Sequence, residues 1–406
     1  MSLLTRIAGR LGYVRQAWAD QLLWLLTGGM PTKAGIPLTH MQALQVSTVL
    51  ACVRVIAEGL GALPASLRRR TPNGSEEDET TDAAWLLQEP NSWMTWQEFA
   101  EALTLHAALT GNGFALIQRG VRGQPIQLLP LLPGWVQYRQ LGDWSIEYTV
   151  ALPSGQSMVL GIDQVLHLRG PSWDTVGGLE VVRLARESIG LAAAIEWTQA
   201  GHFGKGGTPS GALELDGPVT PQRADELKAR WQAAHTGGGA GSIAVLGLGA
   251  KFKQFDLNFA GAQTMETRRL QVEEICRAFR VFPQMIGASD KAPTYASAEA
   301  FFSAHAVHTL GPWARRWELT LARDLLSMRQ RSTSFFHVDV EAILRADTKA
   351  TGDFLRQMVD GGIMTPNEAR RRLRLNSIAG GDVLRPAANI AGRPTPPPDP
   401  EPAPAA

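Results

Sequence analysis

Residues 262–283, AQTMETRRLQVEEICRAFRVFP, residues 287–297, GASDKAPTYAS, and the apolar run that continues to Met328 decide how the chain is to be read. The first segment places Met265, Val272, Ile275, Phe279 and Phe282 on one helical stripe and sets Glu273 and Arg277 four residues apart. It stops at Pro283, which predicts a helix with a definite end. From about Ser297 to Met328, Phe301, Phe302, Val307, Leu310, Trp313, Trp317, Leu321 and Leu325 recur at helical spacing, with Gly311-Pro312 between them. Pro312 lacks an amide hydrogen and its ring collides with the carbonyl four residues back, so a long helix kinked at Gly311 and Pro312 is expected. By spacing alone, such a helix is either a bent core element or a connector between layers of a larger assembly.

Upstream, residues 179–203 (LEVVRLARESIGLAAAIEWTQAGHF) also have a helical period, with Arg183 and Glu187 four apart. The glycine-rich turn that follows, Gly201 to Thr208, lacks the spacing of a phosphate-binding loop, because Lys205 is followed by Gly206 and not by Ser or Thr. Between the two helices lies a small β-α-β-β unit. A strand is expected at 211–215, a helix at 220–234 opened by Thr220-Pro221, and strands at 242–249 and 251–258.

Nearer the N-terminus, a linker at 27–40 leads to a helix over 46–60, a strand over 67–70 and a polar, acidic turn over 71–80. A helix over 95–110 ends at Gly111-Asn-Gly113, and short β segments with Pro/Gly turns fill 114–168. Strands grouped together in this way indicate an α+β class. At the other end, Thr365, Pro366 and Glu368 form a capping box for a helix that runs on to about Asn376. Arg370, Arg371, Arg372 and Arg374 give that helix a basic face, which suits solvent, an acidic neighbour or DNA. Beyond Arg385 the Pro/Ala-rich composition predicts disorder.

With 406 residues, 44% hydrophobic and 19% charged, the chain has material for two or three domain-sized units. A net charge of +1 excludes a generally basic nucleic-acid coat, so any DNA contact is local. Seven lysines against thirty-two arginines favour planar cations suited to ion pairs or phosphate, although codon bias produces the same excess. Twelve tryptophans against four tyrosines suit cores and interfaces alike. Cys52 and Cys276 provide no disulfide framework and fit a reducing cytosol. The N-terminal run to Leu26 reads as an amphipathic arm, since Asp20 and Gln21 break its apolar patch and it is too short to span a bilayer.

Several segments in collinear order resemble the portal proteins of tailed bacteriophages, in the siphovirus form. They are STVLACVRVIAEGLGALP at 47–64, LTGNGFALIQRG at 109–120, VLHLRGPSWDTVGGLEVV at 165–182, FGKGGTPSGALEL at 203–215 and GGIMTPNEARRRLRLNSIAGGDVL at 361–384, together with the helix, loop and kinked helix above. The resemblance spans about residues 40–390. It implies an arm and linker at 1–40, a wing at 41–178, stem helices at 179–204 and 261–283, and a clip at 205–260. A tunnel loop at 284–297, a long kinked helix at 298–330, a C-terminal wing or crown region at 331–385 and a tail at 386–406 complete the subunit. Asp290, Lys291, Thr294 and Tyr295 are the candidates for transient contact with DNA in the channel.

The resemblance further implies a ring of about twelve copies at one capsid vertex. Double-stranded DNA passes through it, the terminase large subunit and later a head–tail adaptor dock on it, and capsid protein or scaffold surrounds it. Assembly takes place in the host cytoplasm, and the finished protein resides in the virion, away from membranes. Without the resemblance, the same elements fit a monomeric or dimeric globular adaptor. Enzyme chemistry has no candidate residues: no GxSxG, HExxH, DxDxDG or CxxC motif occurs. His305 and His308 are three apart without a further ligand, and Asp339, Glu341 and Asp347 have no nuclease spacing. No catalytic residue, metal or cofactor is expected.

Overall fold

The computed structural model describes residues 29–72, 74–204, 211–214, 220–222, 225–226, 229, 251–254, 261–288, 295–346, 348–373 and 375–384. They fall into two compact units divided after Asp339. In the first, helix α1 (His40–Gln45) leads into α2 (Ser47–Gly61), then β1 (Ala65–Thr71), β2 (Gly74–Glu77), the short α3 (Asp82–Trp85) and α4 (Trp96–Thr110). A run of strands follows: β3 (Asn112–Arg119), β4 (Pro125–Leu131), β5 (Val136–Gln140), β6 (Ile146–Ala151), β7 (Ser157–Leu160) and β8 (Val165–Arg169). Next come α5 (Val181–Leu184), α6 (Arg186–Gly204), β9 (Gly211–Glu214), β10 (Lys251–Gln254) and α7 (Gly261–Phe279). Helix α8 (Tyr295–His305), α9 (Gly311–Leu325), α10 (Met328–Thr333) and β11 (Ser334–Val338) end the unit.

Among the described residues the strands form four antiparallel sheets: β4-β3-β8, β5-β6-β7, β11-β1-β2 and β9-β10. Strand β3 is buried along most of its length because α4 covers one face while Phe114 joins Leu131, Val136, Tyr148, Val150, Leu160 and Val165 on the other. The helix and strand approach closely at Gly113, where any Cβ would lie 2.5 Å from the Leu103 carbonyl oxygen. Helix α4 is held at its start by a reciprocal bond pair between Thr95 and Glu98. At its end Gly111 takes φ +78°, and a Cβ there would meet the Gly178 carbonyl carbon at 2.5 Å. Helix α2 packs on α4 and α7, and α9 packs on β8 and β11. Trp317 of α9 is buried against Trp96, with ring centroids 5.4 Å apart, and donates its indole N–H to Thr104 Oγ1 over 2.9 Å.

Several local expectations change. The acidic turn at 71–80 contains β2, because Glu76 and Glu77 lie opposite Arg69 and Arg68 and opposite charges support the ladder. Strand β7, absent from the reading of 114–168, pairs with β6, and β11 joins β1 from beyond the long helix. The helix expected over 179–203 breaks at Ala185 into α5 and α6. The expected helix at 220–234 falls largely, and the strand at 242–249 entirely, outside the described residues, as do 1–28 and 385–406.

The second unit contains a 3-10 turn at Val340–Ala346, α11 (Thr348–Asp360) and α12 (Pro366–Arg372). Thr365 caps α12: its Oγ1 accepts from Glu368 N–H over 3.2 Å, and Glu368 Oε2 accepts from Thr365 N–H over 2.7 Å. The helix ends at Arg372 instead of Asn376. Beyond it, buried Asn367 clamps the returning chain through bonds with Ile378 and Gly381.

Candidate functional site

The segment at 284–297 runs from beyond the end of α7 into the start of α8. Helix α7 terminates at Phe279, after which Arg280 adopts φ +58° and Val281 N–H donates to Cys276 O over 2.9 Å. A 3-10 turn at Pro283–Ile286 follows, closed by Gly287 at φ +76°. The chain re-enters helix at Tyr295, the first residue of α8. Asp290, Lys291 and Thr294 lie outside the described residues, so of the four candidates only Tyr295 has a described backbone position.

The kinked helix expected over 298–330 is interrupted by a π turn instead of a simple proline kink, and it ends at Leu325. Helix α8 passes into a π turn at Ala306–Leu310, and α9 starts at Gly311 with Pro312 in its first turn. Gly311 N–H donates to Ala306 O, five residues back, which is the π pattern. Pro312 has no amide to donate, so a wide turn placed just before it is where the ladder yields. Thr309 Oγ1 donates to Arg280 O over 2.9 Å and ties this turn to the end of α7. Helix α9 stops at Leu325, and Ser327 caps a separate helix, α10.

Helices α6 and α7 run antiparallel, since Ser188 meets Glu274 at one end while Arg268 reaches Glu196 and Gln199 at the other. Along α7, Glu273 takes both Arg269 and Arg277. The basic and acidic side chains therefore neutralise one another along this pair. Apolar side chains are left in solvent beside them: Trp197 is 76% exposed, and Leu191 and Leu270 are also open. The same holds on α8 and the π turn, where Phe302 is 54% and Val307 59% exposed.

Strands β3, β6 and β8 carry a polar network that the sequence reading did not single out. Tyr148 O–H donates to His167 Nδ1 over 3.0 Å, and His167 Nε2–H donates to Asn112 Oδ1 over 2.9 Å, which also accepts from Gly178 N–H. Burial, with Arg169 and Arg323 nearby, holds the His167 imidazole well below its usual pKa and so neutral, while burial pushes the Tyr148 phenol up to about 12. Buried Asp324 accepts two bonds from Arg323, and Arg119 and Arg331 donate to the last carbonyls of α9. These arginines line a cavity of about 730 Å³ with Arg122, Asp82 and Asp163, and their contacts are those of a helix C-terminus being capped. A polar residue inside an apolar strand, as in VLHLR, was the available signal for His167.

In the second unit the arginines do not share one face. Consecutive helical residues turn by roughly 100°, so Arg370, Arg371 and Arg372 fan around α12. Arg370 donates to Asn376 O and Arg372 stacks on Phe354, while Arg374 lies outside the described residues. Among the described residues no group of three His, Cys, Asp or Glu side chains is placed to hold a metal, and no helix is long and apolar enough to cross a membrane. His305 is buried and His308 lies in the π turn.

Comparison with known proteins gives a consistent result over most of the chain. The portal protein of Enterobacteria phage HK97 is 28% identical over 345 residues, covering 84% of this chain and 81% of the phage protein. The probable portal protein of Streptomyces phage phiC31 is 28% identical over 375 residues, covering 88% and 81%. Among solved structures, an HK97-family phage portal protein from Corynebacterium diphtheriae superposes with a TM-score of 0.57 at 16% identity, covering 76% of this chain and 98% of that one. A chain from the neck of a native gene transfer agent particle, computed with C12 symmetry, gives 0.57 at 20% identity, covering 84% and 94%. The family model described as phage portal protein matches residues 47–373, from the first turn of α2 to the end of α12, and the chain belongs to that family.

Proposed function

We propose that copies of this chain close into a ring of about twelve at one vertex of a capsid and form the channel through which double-stranded DNA enters and leaves. The observation that carries this reading is the match to the portal family over residues 47–373. The exposed apolar side chains on α6, α7 and α8 support it, because large apolar groups left in solvent on a folded subunit suit burial against a neighbouring one. In this reading residues 41–178 are the wing, 179–204 and 261–283 the stem, 205–260 the clip and 284–297 the tunnel loop. The segment 298–330 bends at its π turn between them, and 331–385 form the C-terminal wing or crown region. The protein acts without catalysis of its own, and a separate terminase large subunit that docks on the ring supplies the work of packaging. A head–tail adaptor replaces it, and capsid protein or scaffold holds the ring in the virion after assembly in the host cytoplasm.

A channel that lets DNA slide must hold phosphates weakly, since each one firmly neutralised adds to the barrier against movement. The ion-paired surface of α7 agrees with that requirement, and Asp290, Lys291, Thr294 and Tyr295 remain the proposed points of transient contact. Deleting 288–296 tests the assignment. The expected result is intact ring assembly with impaired packaging or retention of DNA. Loss of oligomers would show that the loop serves assembly, and unchanged packaging would remove its proposed role.

A further inference from the structure

We infer that Cys52 and Cys276 form a dithiol site which a small two-electron oxidant of the peroxide class converts to an intrachain disulfide, fastening α7 to α2. They are the only two cysteines of the chain, and both are free and buried. They lie 224 positions apart in sequence, yet their sulfurs are 3.8 Å apart where the two helices pack. A disulfide holds its sulfurs at about 2.0 Å, so the remaining gap is about 1.8 Å. That is less than a sulfur travels in a change of χ1 rotamer. Apolar packing alone accounts for one buried cysteine among Val49, Val53 and Ile56. It gives no reason for the second thiol of the chain to meet it.

The pair is also chemically unequal. Either sulfur can donate to the other, and this shared contact holds the Cys276 thiol below its ordinary range against the opposing effects of burial and Glu273 while it pushes Cys52 up. Attack by either sulfur gives the same disulfide, and the step through Cys276 balances. The Cys276 thiolate forms an S–O bond with hydrogen peroxide as the O–O bond breaks and hydroxide leaves, giving a sulfenic acid. Cys52 then attacks the Cys276 sulfur, the S–O bond breaks, and the Cys52 proton leaves with the departing hydroxide as water. In total, two thiols and one peroxide give one disulfide and two waters, with two electrons passing to the peroxide. Peroxide is uncharged and close to water in size, which suits a pair with no solvent-facing sulfur.

The bond joins one limb of the α6–α7 pair to the body. A chain folded in a reducing cytosol keeps the dithiol, and one carried outside in a particle meets oxidising conditions. That timing rests on the virion reading above, whereas the bond itself does not.

The test uses the full chain, reduced, then treated with hydrogen peroxide, denatured, alkylated and analysed by mass spectrometry before and after proteolysis. Two alkylatable thiols are expected to fall to none at monomer mass, with one linked peptide pair containing Cys52 and Cys276, and dithiothreitol should restore both. Cys52→Ser and Cys276→Ser should each keep the capacity for neither an intrachain link nor a linked peptide pair. Survival of both thiols, addition of oxygen to them without linkage, or linkage only between chains would overturn the inference. The wild-type result decides even if a variant fails to fold, and a chain that forms no rings but does form the bond would count against the virion reading alone.

Discussion

In the body around β3, the buried side chains of Tyr148, His167 and Asn112 are linked in series, and Asn112 also takes the Gly178 amide. Along the α6–α7 pair polar side chains stand outside in solvent-exposed ion pairs, and the apolar groups there, Trp197 above all, have solvent where the body has neighbours. Exposed ion pairs contribute little to stability, typically about 0–1 kcal/mol each, whereas a buried network left half-satisfied is costly. The body is thus specified by contacts within the subunit. The helix pair exposes apolar surface that the proposed ring would cover with a neighbouring copy.

The strongest way to break this contrast is to damage the body. Trp317→Ala removes a fully buried ring and the partner of Thr104, and should lower stability by about 3–5 kcal/mol in urea unfolding. A loss below about 1 kcal/mol would mean that the α4–α9 contact is not core. Gly178→Ala sets a Cβ against the Gly111 carbonyl oxygen, where the obstacle is backbone and cannot swing aside. A cost of about 2–4 kcal/mol is expected in the same assay, and a neutral result would contradict the close approach of the two glycines.

Acid provides a graded test. Burial holds His167 and His305 below the ordinary histidine pKa and lowers His106 to about 4. The unfolded chain therefore binds more protons than the folded one below about pH 6.5, and stability should fall as pH drops from there towards 4. His337 acts in the opposite sense. Its hydrogen bond to Glu318 raises it, so its contribution is fully present below the unfolded value and fades as pH rises through the folded one. Urea midpoints measured across pH 7 to 4 should decline, and flat midpoints would show that these imidazoles are not held neutral.

The smallest effect on the monomer is expected at the helix pair. Trp197→Ala should change monomer stability by less than about 0.5 kcal/mol while reducing the ringed fraction, read by mass photometry. Pro312→Ala restores an amide to α9 and lets the π turn relax towards regular helix. It should disturb ring geometry in negative-stain images without unfolding the subunit, and unchanged rings would sink that assignment.

Much of this architecture was legible wherever its cause is local. The helix over 95–110 with its stop at Gly111, the cap at Thr365 and the strands between 114 and 168 other than β7 follow from residues within a turn of each other. Strand β2 was hidden because its acidic side chains make sense only opposite Arg68 and Arg69. The meeting of Gly111 with Gly178, of Asn112 with His167 and of Cys52 with Cys276 depends on how distant segments pack, and no local pattern encodes it. The order of segments from 47 to 384 carried the family resemblance, while the residues proposed to meet DNA come from a short polar stretch of sequence with no distinguishing motif.

A closed ring is read out by the mass of the purified protein in mass photometry at micromolar concentration, followed by negative-stain imaging. A species of about twelve times the 44.0 kDa subunit, with a central hole, is the predicted result. A stable monomer or dimer that stays so when mixed with capsid and scaffold proteins would contradict it, and would favour a globular adaptor built on the same fold.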